Sequence, residues 1–352
     1  MLQFSVPIYA GLAQLVEQLI YTEKVGGSSP SARTGANKQK IPLKKEVFCC
    51  MMQYMNIFNS LDFKMKNPMK DSENVKNVHQ KLERIVNSKR PNPEDFRGII
   101  PDSEINYDIK KVSELEQKWK SEINPDAMNA KMIADIAEYI VYKNLGFWVN
   151  ERATPIMTSK ADDYLRGVDL LVESHVQEGG GTQHLGIGMD VALLTEKVST
   201  SETVEKKEKK VRQILKSGIL SEARYVPGVP NGLKDLPYTI ISISSSHVDE
   251  LSGSVFREDE SVKEKNHILK YIVAYQIVRQ LGTYYSVADA QEKEHLAYQY
   301  GVANNFANDI FGHLISDLQN NPDIWKKVST DAGTQEIERF CSELEKEIEH
   351  HA

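Results

Sequence analysis

Residues 164–196 read YLRGVDLLVESHVQEGGGTQHLGIGMDVALLTE and predict two adjacent strands joined by a glycine-rich hairpin loop over 175–184. The apolar runs GVDLLV and GIGMDVALL each contain one aspartate, Asp169 and Asp190. A carboxylate within an apolar strand is costly to bury unless it binds a cation or a strong hydrogen-bond donor. Two such carboxylates on neighbouring strands therefore indicate a place where chemistry can occur.

The second strand has unusually little side-chain volume on one of its faces. Because alternate residues of a strand point the same way, Asp190 shares a face with Gly186, Gly188 and Ala192. These small residues leave space beside the carboxylate, which is typical of a cleft rather than of a packed core.

The elements around this strand pair predict an α/β class with a central mixed β-sheet flanked by helices. Helical spacing of apolar residues predicts a buried helix over 127–145, ended by Gly146, with FWVN as an edge segment after it. A second helix is expected over 204–217, ended by Gly218. The β-branched stretch YTIISIS predicts a buried strand in the interior of the sheet.

The chain outside this core predicts mainly helices. Residues 51–124 are polar and rich in lysine, and helical spacing indicates helices over 72–88 and 112–123 with an irregular, proline-bearing connector between them. The predicted domains are a non-native or disordered extension over 1–50, a helical appendage over 51–124, the α/β core over 125–258, and C-terminal helices over 259–352 that pack on the core.

Residues 10–36 resemble an in-frame translation of a transfer RNA gene. AQLVEQ at 13–18 can be back-translated into a D-arm-like sequence, and GSSP at 27–30 into a T-loop-like one. This predicts that the segment is not native and that translation starts further on, at Met51, Met52, Met55 or Met65. A real amphipathic arm is the alternative, since Leu12, Leu15, Val16 and Leu19 have helical spacing.

Composition narrows the classes of function. No apolar run approaches the ~20 residues that span a bilayer, so no membrane partner is expected. The three cysteines, Cys49, Cys50 and Cys341, lack metal-ligand spacing and indicate a reducing, cytoplasmic location. The net charge of −7 disfavours tight nucleic-acid binding unless a local basic patch supports it.

Several common motifs are missing from the sequence. There is no GxxxxGK[ST] loop, no CxxC pair, no GxSxG elbow and no HExxH, which argues against nucleotide hydrolysis, zinc chemistry and serine hydrolase activity. His267, His295 and His313 have no second histidine at i+4 spacing. We interpret them as ordinary surface or boundary histidines.

The order of elements from residue 127 resembles the PD-(D/E)xK nuclease superfamily, which has a restriction-endonuclease-like core. In that superfamily an acid on the first helix, an aspartate on one hairpin strand and an acid-x-lysine on the next converge on magnesium. Glu138, Asp169 and Asp190 occur in this order. The resemblance implies that all three bind Mg²⁺ and that Asp169 and Asp190 are catalytic. The segment from Asp190 to the YTIISIS strand also looks like bacterial proteins of similar layout.

One position departs from the superfamily pattern. Ala192 stands where the lysine is usual, two residues beyond Asp190. Some members supply the lysine from the following helix, so the resemblance implies Lys210 or Lys207 as the catalytic cation. A run of lysines at 206–210 can also be a solvated helix face.

Two functions remain open from the sequence. The first is a Mg²⁺-dependent nuclease or DNA-processing hydrolase that cleaves phosphodiester bonds, with DNA as its partner. The second is a nuclease-fold protein that has lost catalysis and serves as a binding or scaffold module. Small residues around Asp190 favour the first function, whereas Ala192 and the negative net charge favour the second.

Overall fold

A computed structural model describes residues 72–122, 125–149, 153–178, 181–194, 201–252 and 266–349. The predicted extension over 1–50, with its stretch that resembles a translated transfer RNA gene, lies outside the described residues. None of the described helices combines the length and the apolar character that a membrane span requires.

The strands confirm a mixed α/β class. In chain order they are β1 Thr154–Met157, β2 Leu170–Glu178, β3 Gly181–Leu194, β4 Ser221–Ala223, β5 Leu233–Leu236 and β6 Tyr238–Ser244. Four of them form a sheet in the order β1-β2-β3-β6, and β4 pairs with β5 in a small second sheet. Within the larger sheet β1, β2 and β3 are antiparallel neighbours, whereas β6 runs parallel to β3.

Helices make up most of the remaining described chain. They are α1 Ser72–Lys89, α2 Asp102–Glu122, α3 Pro125–Trp148, α4 Ser201–Ser217, α5 Ser245–Ser252, α6 Leu269–Ala290, α7 Glu294–Asn320, α8 Pro322–Ser329 and α9 Ala332–Glu349. A 3₁₀ turn at Pro93–Phe96 precedes α2, and a π-helical turn at Asp162–Arg166 precedes β2. Gly218 ends α4 with φ +74°, as the sequence predicts.

The β2–β3 hairpin is longer than predicted. Its register runs from Leu170 opposite Met189 to Glu178 opposite Gly181. The hairpin loop predicted over 175–184 is therefore wrong on both of its sides. Those residues lack the apolar alternation that marks a strand, but the register fixed by the apolar half continues along the polar half through backbone hydrogen bonds.

Glycine does not end α3, contrary to the prediction. The helix continues through Gly146 to Trp148, and the Val149 N–H still donates to the Leu145 carbonyl at 2.9 Å. The expected edge segment at FWVN is therefore wrong for its helical residues. Trp148 is buried in the main core, and the free energy of burying this large side chain outweighs the modest helix penalty of one glycine.

Proline starts α2 rather than breaking it. The predicted helix over 112–123 in fact begins at Asp102, because the Pro101 carbonyl accepts hydrogen bonds from the N–H groups of Glu104 and Ile105. The segment between β4 and β6 contains one more strand, β5.

β6 is the last strand of the sheet in the described part of the chain, although the sequence predicts an interior strand. Two glutamines of α6 satisfy its free backbone groups. Gln280 accepts from the Ile240 N–H at 2.9 Å and donates to the Ile240 carbonyl at 2.7 Å. Gln276 makes the same pair of contacts with Ser242, both at 2.8 Å. These side chains replace a neighbouring strand and allow β6 to be fully buried.

The main core lies between the larger sheet and the helices. Leu170, Val172, Ile187 and Met189 point into it, together with apolar residues of α3, α6, α7 and α9. Leu171 points the opposite way, into a smaller cluster formed with residues of β4 and β5. This alternation along β2 follows the strand period of two. Asp169, at the amino end of β2, lies near Glu138 of α3.

A candidate metal centre beside the central hairpin

Three carboxylates from separate elements converge at the amino end of β2. Glu138 lies on α3, Asp163 lies in the π-helical turn, and Asp169 immediately precedes β2. One oxygen atom from each carboxylate lies within 4.8 Å of the others. Hard carboxylate oxygens in such a group are ligands that Mg²⁺ and Mn²⁺ prefer.

The turn that carries Asp163 is fixed by its neighbour. Asp162 is fully buried, and its carboxylate accepts from the backbone N–H groups of Arg224 and Tyr225 at 2.8 and 3.0 Å. The turn ends at Gly167 with φ +65°, a conformation that glycine adopts without strain. With Asp162 anchored to the backbone, the adjacent Asp163 is directed towards Glu138 and Asp169.

Arg90, just beyond α1, neutralises part of this group. Its Nη2 donates to Glu138 Oε1 at 2.6 Å, and its Nη1 donates to Asp163 Oδ2 at 2.8 Å. The Arg90 and Glu138 side chains are each only 10% exposed. Sequence reasoning missed both Arg90 and Asp163, since neither belongs to the strand pair or to the buried face of α3.

Burial shifts the pKa values of Glu138 and Asp163. Burial raises the pKa of Glu138 well above its usual range, and the nearby charges of Asp169 and Asp163 add to this against the opposing effect of Arg90. Burial also raises the pKa of Asp163 to about 7, again with Asp169 adding to the shift. Glu138 and Asp163 therefore hold protons more tightly than ordinary carboxyl groups do, and a divalent cation can compete with those protons.

Asp190 lies beside this group but has its own partners. Its carboxylate forms an ion pair with Lys207 and accepts from Tyr238 Oη at 2.7 Å. Among the described residues, Asp190 is not one of the three carboxylates that converge. The backbone of β3 links Asp190 to the three-carboxylate group, because the N–H of the next residue, Val191, donates to Asp169 Oδ2 at 2.8 Å.

Lys207 is the lysine of α4 on which the charges of all three carboxylates act. Its Nζ donates to the Val191 carbonyl at 3.0 Å in addition to its ion pair with Asp190. Burial lowers the pKa of Lys207, while the charges of Asp169, Asp163 and Glu138 oppose that shift. The predicted solvated face of α4 is therefore wrong for Lys207, which is directed inwards as a cation beside the acids.

Lys210 supports the backbone in front of Asp169. Its Nζ donates to the carbonyls of Arg166 and Gly167 at 2.8 and 2.7 Å, and it lies 3.8 Å from the ring centroid of Tyr238. Burial lowers the pKa of Lys210 to about 8, with Asp169 opposing and Lys207 adding to the shift. These contacts make Lys210 a positioning residue for the turn.

Ala192, where the superfamily has its lysine, is fully buried in the main core. In this structure Arg90 contacts two of the acids, and Lys207 of α4 pairs with Asp190.

A cleft of about 200 Å³ opens onto the three-carboxylate group, and Glu138, Asp163 and Arg90 contribute to its lining. Its wall also contains Trp119 and Tyr164, whose rings meet edge to face with centroids 4.7 Å apart. Lys131 Nζ lies 5.2 and 5.6 Å from these two ring centroids.

The cleft exposes only part of the candidate site. The other candidate residues, Asp169, Asp190, Lys207 and Lys210, are not among the described residues that line it. The cleft therefore reaches the candidate site from the side of Glu138 and Asp163.

Comparisons of this chain with protein family models, with curated proteins and with solved structures found no match.

Proposed function

We propose that this chain is a Mg²⁺-dependent phosphodiesterase of the nuclease type, built on a restriction-endonuclease-like core. The observation that carries the proposal is the convergence of Glu138, Asp163 and Asp169 within 4.8 Å, beside the Lys207 ammonium. The mixed sheet and the order of helix α3, the β2–β3 hairpin and helix α4 also support it.

The residues present fit a divalent cation. All three side chains offer hard oxygen atoms. Burial raises the pKa of Glu138 and of Asp163, and the Arg90 guanidinium offsets only part of that shift. Magnesium bound there would activate a water molecule and neutralise charge on the phosphoryl oxygens. Glu138, Asp163 and Asp169 would hold the ion. Arg90 would then lose its hydrogen bonds to Glu138 and Asp163.

The chain's own cation completes the proposed chemistry. Lys207 is held in place by Asp190 and by the Val191 carbonyl, so its ammonium can stabilise negative charge that develops on the phosphoryl group. In this assignment Asp190 orients the lysine and does not bind the metal. Lys210 holds the turn before Asp169.

The cleft wall favours DNA with unpaired bases as the substrate. Trp119 and Tyr164 offer aromatic surfaces on which a base can stack, and Lys131 and Arg90 supply positive charge for the phosphate.

A second function is favoured by one observation. Arg90 already pairs with Glu138 and Asp163, and the Val191 N–H donates to Asp169. All three carboxylates therefore have partners without a metal ion. In this alternative the chain keeps the nuclease fold as a binding or scaffold protein and has no catalysis.

Cleavage assays separate the two functions. Supercoiled plasmid and single-stranded DNA are incubated with Mg²⁺, Mn²⁺ or a chelator, using the wild type, Asp169→Asn and the exposed control Asp289→Asn. We expect metal-dependent cleavage by the wild type and the control, and at least ~100-fold slower cleavage by Asp169→Asn. If the folded wild type does not cleave DNA and binds no divalent cation at the carboxylates, the nuclease proposal is wrong and the result favours the scaffold function.

A further inference from the structure

A second group of metal-ligating side chains lies at the carboxyl end of β6. His247 and Glu250 occur three residues apart on α5, which directly follows β6, and His267 lies just before α6. One donor atom from each of these residues lies within 4.8 Å of the others. Residues at i and i+3 share a helix face, so α5 presents both of its ligating groups on one side.

His247 has the hydrogen-bonding pattern of a metal ligand. Its Nε2 pairs with Asp331 Oδ2 at 2.9 Å, and the Asp331 side chain is only 8% exposed. Its Nδ1 is buried and has no hydrogen-bond partner among the described residues. A carboxylate on one ring nitrogen fixes the orientation of an imidazole whose other nitrogen binds a metal. Leaving that nitrogen unsatisfied would otherwise cost ~1–3 kcal/mol.

His267 directs its Nε2 atom towards Glu250. Its Nδ1 accepts from the Leu269 N–H at 3.2 Å, and its Nε2 lies 2.7 Å from Glu250 Oε2. The two imidazole rings meet edge to face with centroids 5.4 Å apart. His267 is buried, so its interpretation as an ordinary surface or boundary histidine is wrong. His247 lies 20 residues earlier in the chain, so no i+4 pattern connects the two histidines.

We propose that His247 Nδ1, the Glu250 carboxylate and His267 Nε2 bind a transition-metal ion of the zinc class. Two imidazoles and one carboxylate are a ligand set that suits Zn²⁺, whereas Mg²⁺ and Ca²⁺ prefer oxygen atoms alone. Three protein ligands leave a fourth position for water. Zinc ligands lie ~2.0–2.1 Å from the ion, so the donor atoms must move closer together. The exposed Glu250 side chain can supply much of that movement.

The bound ion would link three parts of the chain. It joins α5 to the residue that precedes α6, and through Asp331 it is coupled to the start of α9. We therefore assign the site a structural role: the metal ion stabilises the junction of these helices. This role is independent of the proposed hydrolase, because none of its residues belongs to the three-carboxylate group.

Metal titrations test this site directly. The full chain is stripped with a chelator and titrated with Zn²⁺ against a competing chromophoric chelator, and with Co²⁺ while the visible d–d absorption is recorded. Asp163→Asn distinguishes this site from the carboxylate group and should leave Zn²⁺ binding here unchanged. His295→Ala is the matched control, since His295 is 59% exposed.

We expect one Zn²⁺ per chain at this site and a higher melting temperature of the wild type with Zn²⁺. His247→Ala should abolish the binding. Glu250→Gln, at an exposed position that tolerates substitution, should weaken it at least ~10-fold, and Asp331→Asn should weaken it ~10–100-fold. Absence of Zn²⁺ binding by the wild type would overturn the proposal. Binding that is unchanged in Glu250→Gln and in any folded His247→Ala would also overturn it.

Discussion

Arg90 and Glu138 form a buried ion pair, with 2.6 Å between Nη2 and Oε1 and only 10% of each side chain exposed. The same guanidinium binds Asp163, so one cation holds two of the three carboxylates of the candidate metal centre. A divalent cation must therefore replace Arg90 as the counter-charge of at least one acid. This competition makes Arg90 the most informative residue around the site.

Arg90→Ala should destabilise the metal-free protein by ~3–5 kcal/mol, because it leaves two buried carboxylates without their cation. Addition of Mn²⁺ should recover part of this loss, since the metal ion replaces the missing charge. The free energy of unfolding in urea, with and without Mn²⁺, measures both effects. Arg97→Ala is the control, since Arg97 forms an exposed pair with Glu94 and its loss should lower stability far less than Arg90→Ala does. Recovery by Mn²⁺ that is equal in Arg97→Ala and Arg90→Ala would contradict the competition.

The pKa of Asp163, raised to about 7 mainly by burial, makes stability depend on pH. In the unfolded chain this carboxyl ionises near ~3.9. Between these values the folded state binds more protons than the unfolded state, so the contribution of Asp163 to stability falls as pH rises from ~4 through ~7. Asp163→Asn removes this dependence.

Urea unfolding at ~pH 5 and ~pH 8 tests the shift. Asp163→Asn should gain stability relative to the wild type at the higher pH, and Mn²⁺ should stabilise the wild type more at that pH because protons no longer compete for the carboxylates. A difference between the two proteins that does not change with pH would show that Asp163 titrates normally.

The glutamines beside β6 should be essential for stability. Gln280→Leu leaves the N–H and carbonyl of Ile240 buried without these partners, which costs ~1–3 kcal/mol for each group. Gln213→Leu, at an exposed position of α4, should change stability by no more than ~0.5 kcal/mol. Chemical denaturation of the two variants provides the comparison. An equally small effect of both would mean that another group or water satisfies β6.

The two lysines of α4 should have different roles. Lys207→Gln should lower the rate of cleavage by ~10²–10³-fold and leave Mn²⁺ affinity within a few-fold, because the lysine stabilises charge on the phosphoryl group. Lys210→Gln should mainly lower stability, since two backbone carbonyls lose their donor. Cleavage rates, Mn²⁺ titration and urea unfolding of both variants distinguish these roles. The reverse pattern would make Lys210 the catalytic cation.

Local patterns predicted the parts of the fold that depend on neighbouring residues. The α/β class, the strand pair, α4 and its end at Gly218 follow from periodicity and from turn residues. Glu138 and Asp169 were found from their order along the chain, and the structure places them together. Lys207 was identified as one of two candidates because it shares the apolar stripe of the predicted helix over 204–217, and the structure does direct it inwards.

Other features depend on tertiary contacts that no local pattern contains. Asp163 and Arg90 lie in segments without regular apolar spacing, and Arg90 reaches Glu138 from 48 residues away. The position of β6 at the sheet edge was missed because its backbone is satisfied by glutamines 34 and 40 residues later. His247 and Glu250, by contrast, carry a local signal, the His-x-x-Glu spacing on one helix face.

Mn²⁺ titration of Asp163→Asn and Asp190→Asn, followed by electron paramagnetic resonance, tests the metal centre most directly. We expect the wild type to bind one Mn²⁺ at the carboxylates, Asp163→Asn to bind it at least ~10-fold more weakly, and Asp190→Asn to stay within a few-fold of the wild type. Loss of binding in Asp190→Asn with normal binding in Asp163→Asn would contradict the assignment. That result would place the ion between Asp169 and Asp190 instead.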